Sequence, residues 1–248
     1  MASRTATVCA TPSALDEALG TFIYRAADAA ISSRGCFTLA TSGGSLPKSL
    51  ASALAWAAGA GLPLRTELWH VFYADERHVP LDHGDSNHAA TLAALRLPQP
   101  WWRAEVRPVA PALPLAECAA AYEAELAAEL RGGRALDLVL LGMGPDGHTA
   151  SLFPGHALLL GSAGERRLVA PIADSPKPPP ARVTLTLPAI NAARQVAFVA
   201  CGEAKAALVG AIFRGEEEAR ALPAALAAGV DATMWFLDAP AAAQLPTQ

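Results

Sequence analysis

Residues 115–148 read LAECAAAYEAELAAELRGGRALDLVLLGMGPDGH, and this stretch decides the fold class. Leu115, Cys118, Ala119, Tyr122, Leu126 and Leu130 recur at three- and four-residue steps, which predicts an amphipathic helix over 115–130. Asp137–Leu141, DLVLL, is apolar at consecutive positions, so both faces of the strand it forms must be covered, as in a parallel sheet. That strand runs directly into a glycine-rich loop, Gly142 to His148. Helix, buried strand and glycine loop in succession are the repeating unit of an α/β fold.

The alternation continues on both sides. Strands are predicted at 36–40, 68–74, 169–172, 183–187, 196–200 and 233–237, and helices at 46–58, 87–97 and 205–213. Strands alternating with helices imply parallel pairing with helices on both faces of the sheet. The expected architecture is one α/β domain over 1–248 with a mostly parallel sheet. The proline-dense segment Ser175–Pro180, SPKPPP, is read as a stiff surface connection inside that domain rather than a linker between two.

With 248 residues, 52% of them apolar, the chain has ample material for a core, which excludes general disorder. No apolar run reaches the ~18 residues of a membrane helix. Met1–Ala10 lacks the apolar region of a secretory signal, so a cytoplasmic protein is expected. A net charge of -4 argues against nucleic acid or an anionic membrane as a partner over any broad face. Cys9, Cys36, Cys118 and Cys201 are far apart and form no C-x-x-C pair, so they read as plain thiols.

The polar clusters fall just after strands: Thr41–Ser45 (TSGGS), Asp75–Arg77 (DER), Gly142–His148 and Gly202–Lys205. In an open parallel sheet, ligands bind outside the carboxyl ends of the strands, so four such clusters would share one pocket. Ser42, Gly43, Gly44 and Ser45 precede a helix and offer hydroxyls, free backbone N–H groups and a helix N-terminus, a combination suited to phosphate. Gly142, Gly144 and Gly147 fit G-x-G-x-x-G, but Pro145 and Asp146 place a rigid turn and an anion where a pyrophosphate would lie. Pro154–Gly155 follows too soon for the helix that the dinucleotide motif requires. A nucleotide is therefore not expected. His148 titrates near neutrality on that loop, with Asp146 two residues away. His78, His83 and His88, interspersed with Asp75, Asp82 and Asp85, have neither helical nor zinc-motif spacing, and no metal is expected there.

TSGGS at 41–45, ADER at 74–77, GMGPDGHTASLFP at 142–154, DSPKPPPARVTLTLP at 174–188 and GEAKA at 202–206 together resemble the 6-phosphogluconolactonase family. The similarity runs from about Thr11 to Leu237. It implies a Rossmann-like fold related to glucosamine-6-phosphate deaminase and ribose-5-phosphate isomerase. It implies hydrolysis of 6-phospho-D-glucono-1,5-lactone to 6-phosphogluconate, in the oxidative pentose phosphate pathway, without cofactor or catalytic metal. The related deaminases carry a catalytic glutamate that falls at Phe153 here, and Arg77 is the lactonase form of the Asp-Glu motif, so ring-opening chemistry is disfavoured. A sensor that kept only the phosphate cradle would not need His148 and Arg77.

On this resemblance His148 is the general base that activates water, with Asp146 orienting the loop or the imidazole. Arg77 or N–H groups of 142–147 stabilise the oxyanion, and Gly144 lies in that binding loop. Ser42, Gly43, Gly44, Ser45, Lys205 and Arg182 hold the phosphate. Asp75 is either a base or a group that orders Arg77. The expected partner is a phosphorylated sugar lactone, and the expected state is a monomer or weak dimer.

Overall fold

The computed structural model describes residues 4–96, 101–159 and 167–246. Strand β1 (Arg4–Cys9) leads to helix α1 (Pro12–Arg34), β2 (Phe37–Thr41), α2 (Leu46–Gly59), β3 (Trp69–Tyr73), β4 (Asp75–Arg77) and α3 (Asn87–Arg96). Then come β5 (Glu105–Val106), α4 (Leu115–Glu129), β6 (Leu138–Gly142), β7 (Val169–Ile172), β8 (Arg182–Leu185), α5 (Leu187–Asn191) and β9 (Gln195–Ala200). The chain ends with α6 (Ala206–Arg214), two short helices α7 (Glu217–Arg220) and α8 (Pro223–Leu226), and β10 (Ala232–Asp238).

Seven strands form a wholly parallel sheet in the order β1-β10-β9-β6-β2-β3-β5. Its centre shows why DLVLL reads as it does. Val139 and Leu141 enter the core that holds Phe198, Trp235, Tyr122 and Val209, while Leu138 and Leu140 enter the opposite core with Phe37, Trp69, Leu19 and Leu50. Alternate side chains of one strand thus bury on opposite faces. Phe198 and Trp235, neighbours on β9 and β10, stack with centroids 4.1 Å apart.

Strands 169–172 and 183–187, expected from the alternation to join the parallel sheet, do not lie in it. β7 and β8 form a separate antiparallel sheet with β4, in the order β4-β8-β7. Only residues 173–181 connect β7 to β8, too few for the dozen or more that a parallel crossover needs. Leu187 leaves the strand and starts α5, because the Thr186 side chain accepts from Ala189 N–H and caps it. The helix expected from Lys205 begins one residue later, after a 3-10 turn at Glu203–Lys205. Leu97, the expected end of α3, lies outside the described residues.

Helix α1 has no counterpart in the sequence reading. Thr11 caps it by accepting from Ala14 N–H, Pro12 opens its first turn, and Gly35 closes it in the left-handed region. Gly20 lets it cross α2 closely, since a Cβ there would lie 2.4 Å from the Ala53 carbonyl oxygen. Among the described residues no helix is long and apolar enough to cross a membrane.

Candidate active site

The chain steps from β2 to β3 in one direction across the sheet, then returns to place β6 on the other side of β2 and continues to β9. The strand order therefore reverses between β2 and β6. At such a point the loops leaving the two carboxyl ends diverge and open a crevice. A cavity of about 230 Å³ lies there, lined by Ser42–Ser45 after β2, Gly142–Gly144 and His148 after β6, and Cys201 and Lys205 after β9. Asp75, Arg77 and Arg182 of the antiparallel sheet complete its wall. All four post-strand clusters read from the sequence meet at this cavity.

The cavity wall after β2 presents donors without acceptors among the described residues. Helix α2 starts at Leu46 and Ser45 makes no side-chain capping bond, so its first N–H groups are left without a side-chain acceptor. Ser42 Oγ is buried without a hydrogen-bond partner. Gly43 is required by close approach: a Cβ there would fall 1.8 Å from Asn87 Oδ1. Across the cavity, Lys205 stands immediately before α6; burial and the Lys177 charge lower its pKa, against the pull of Asp146.

His148 sits with its Nδ1 against Asp146 Oδ1 and packs on Phe153 at a centroid distance of 4.9 Å. Burial pushes the Asp146 carboxyl up, but its hydrogen bond to His148, the His148 charge and the Lys177 contact outweigh this and hold it at about 2. Asp146 is thus an acceptor, which fixes the proton of neutral His148 on Nδ1. The other ring nitrogen, Nε2, has no partner among the described residues. Burial lowers the imidazole pKa, Asp146 opposes this, and the nearby Lys177 charge lowers it further; the net direction is down. Gly144 gives the ring its space, for a Cβ there would lie 1.9 Å from His148 Nδ1.

Lys177 stands in the sequence only as part of the proline segment, with nothing local to mark it as a site residue. Its Nζ lies 3.2 Å from Asp146 Oδ1 and 3.1 Å from His148 Nδ1. A single cation inside a rigid run of prolines was the available signal, in a chain with only three lysines. Arg182 holds that run in place, with Nε donating to the Pro179 carbonyl and Nη2 to those of Lys177 and Pro178. Arg182 therefore reaches the cavity with most of its donors already engaged.

Asp75 is buried and accepts from Ser151 Oγ at 2.8 Å, while its carbonyl accepts from Asn87 Nδ2. Glu76, given no role in the sequence reading, accepts the N–H groups of Arg77, Asn87 and His88 and the Ser86 hydroxyl, anchoring the start of α3 beside β4. Burial raises its pKa, against those three backbone bonds. Arg77 donates from Nη1 to the Asp85 carbonyl and keeps a buried Nε without a partner. His78 meets the Leu113 carbonyl, His83 accepts from Asp85 N–H, and His88 faces the Tyr73 hydroxyl, so the three histidines serve separate contacts.

The profile of the family described as Glucosamine-6-phosphate isomerases/6-phosphogluconolactonase matches residues 10–235. The chain belongs to this family. It is 42% identical over 245 residues to a 6-phosphogluconolactonase of Bos taurus, covering 97% of this chain and 93% of that one. A human 6-phosphogluconolactonase is 45% identical over 223 residues, covering 88% and 84%. A solved 6-phosphogluconolactonase from Trypanosoma brucei superposes with a TM-score of 0.81 at 29% identity, over 99% of this chain and all of that one. Within the family these relatives carry the lactonase name rather than the isomerase name.

Proposed function

We propose that this chain hydrolyses 6-phospho-D-glucono-1,5-lactone to 6-phosphogluconate. The observation that carries the proposal is the His148–Asp146 pair, with Nδ1 committed to the carboxylate and the unpartnered Nε2 on a residue lining the switch-point cavity. Nε2 takes a proton from water as the water oxygen bonds to C1 of the lactone. The carbonyl π electrons move to its oxygen, where Arg77 and the loop N–H groups of 142–147 balance the charge. Collapse of that intermediate breaks the bond from C1 to the ring oxygen, and His148 returns the proton to the departing alkoxide. The products are the free carboxylic acid, which ionises, and a hydroxyl.

The phosphate is held by Ser42, the N–H groups of Gly43 to Ser45 at the start of α2, and Lys205, which fixes the lactone end against His148. Asp75 serves as an orienting group: it fixes Ser151, to which Arg182 also reaches. No step needs a metal or a cofactor. The four free cysteines suit a reducing compartment such as the cytoplasm. The core shared by β7 and β8 with β6 and β9 supports reading 1–248 as one domain.

The direct test is formation of 6-phosphogluconate from freshly generated lactone, compared with the spontaneous rate. Acceleration proportional to protein concentration is expected. A rate equal to that of buffer, with the sugar phosphate still bound, would leave a binding protein instead.

A further inference from the structure

At the opposite end of the parallel sheet, Cys36 precedes β2, His70 lies on β3 and Glu129 ends α4. Thr38 pairs with His70 in register, and Cys36 is two residues before Thr38, so strand alternation puts Cys36 and His70 on one face. The Cys36 thiol, the His70 imidazole and the Glu129 carboxylate each bring one donor atom to within 4.8 Å of the others. The five residues of β2, roughly 16 Å of strand, separate this cluster from the catalytic cavity.

One of the three groups, His70, has a buried ring nitrogen without a hydrogen bond, and Glu129 has no donor among the described residues. The Glu129 side chain is 7% exposed, yet no described residue donates a hydrogen bond to it; its cationic neighbours Arg107 and Arg134 stand off at 3.8 and 4.0 Å. His70 Nδ1 is buried and, although 2.8 Å from Glu129 Oε1, is too far off line to hydrogen-bond. On the far side of the ring Nε2 faces Glu105 across 3.9 Å, where a carboxylate partner orients metal-bound imidazoles. Arg134 Nη1 leans over the opening, 3.4 Å from Cys36 Sγ. It follows Gly132 and Gly133, both in the left-handed region, on the loop after α4.

We propose that Cys36, His70 and Glu129 form a binding site for a divalent transition metal ion, with Arg134 the charge that covers the site until the ion displaces it. One sulfur, one imidazole nitrogen and one carboxylate oxygen are a borderline-soft set that suits zinc, with water as the fourth ligand of a tetrahedron. On binding, the Cys36 S–H bond breaks, the proton passes to solvent and the sulfur electron pair goes to the metal. The ion joins the start of β2, β3 and the end of α4 as a structural staple, independent of lactone hydrolysis.

The test uses the full chain, stripped with chelator and dialysed, then titrated with zinc by calorimetry and with cobalt(II) by absorption. One ion per chain and a thiolate-to-cobalt charge-transfer band are expected. Cys36→Ser should abolish the band and weaken zinc at least tenfold, His70→Gln should weaken it similarly, and Cys201→Ser, which removes the exposed thiol at the other end, should leave both readouts intact. Arg134→Ala, at a side chain that is 44% exposed, should tighten binding by removing the competing cation, with the far-ultraviolet circular dichroism unchanged. A band that survives Cys36→Ser, the absence of any band, or weaker zinc binding in Arg134→Ala would overturn the site. None of these readouts depends on turnover, so their failure leaves the proposed hydrolysis untouched.

Discussion

Burial, Asp146 and Lys177 all act on the His148 imidazole, and its proposed role can be tested by removing the ring or one of those charges. Removing the ring in His148→Ala should lower turnover by ~10²–10⁴-fold with the Michaelis constant near normal, because the proposed phosphate contacts lie on other loops. Retention of more than about half of wild-type turnover would contradict the general-base role. In the proposed mechanism the base acts in its neutral form, so activity should fall as pH drops through the His148 pKa. Burial and Lys177 lower that pKa, which places the acid limb of kcat/KM below the ordinary imidazole value of ~6.5. Lys177→Met removes a charge that disfavours the imidazolium, so the acid limb should move upward in pH. A limb that stays put or moves downward in that variant would show that the Lys177 charge does not act on the ring. Asp146 and His148 were legible in the sequence because they share one loop; Lys177 was not, since it reaches them from 31 and 29 residues away along the chain.

At the scale of elements, two glycines of the cavity loops are set by space rather than by backbone conformation. Gly144→Ala would drive a methyl group into His148 Nδ1, and Gly43→Ala would drive one into the Asn87 amide that holds the Asp75 carbonyl. Both changes should reduce kcat/KM, Gly144→Ala by nearly as much as loss of His148 itself, with the far-ultraviolet circular dichroism unchanged. Wild-type kinetics in Gly144→Ala would mean that the ring adopts another position. These loops were readable because each follows a strand whose apolar run is unmistakable. Helix α1 was not, since Ala26, Ala27 and Ala30 make up much of its buried face and give little contrast with the half-buried Ala14 and Ala18 and the exposed Ala29. The antiparallel sheet escaped for another reason: β4 has three residues and owes its existence to pairing with β8, a contact between residues 105 to 109 apart in the chain that no local pattern encodes.

Across the whole molecule, the reversal of strand order decides which charges share the cavity. Lys205 belongs to the β9 side and Ser42–Ser45 to the β2 side, and the sheet alone brings them together. On the proposed function, a phosphate held between them would gain a charge-assisted bond worth about 1.5–3 kcal/mol from Lys205. Lys205→Ala should therefore raise the Michaelis constant about 10- to 150-fold. An unchanged constant would remove Lys205 from the phosphate site. The same geometry governs the glycine motif at 142–147. In a dinucleotide fold its second glycine clears space for a pyrophosphate and a helix begins at once. Here the space beside Gly144 is filled by His148 and Asp146, and residues 149–152 form an isolated bridge instead of a helix. The cavity of about 230 Å³ is also smaller than the usual range for drug-sized ligands, let alone a dinucleotide. Calorimetric titration with NAD or NADP at millimolar concentration should give no saturable heat. A clear binding isotherm, competed by 6-phosphogluconate, would mean that the loop opens to admit a nucleotide at the expense of the His148–Asp146 pair.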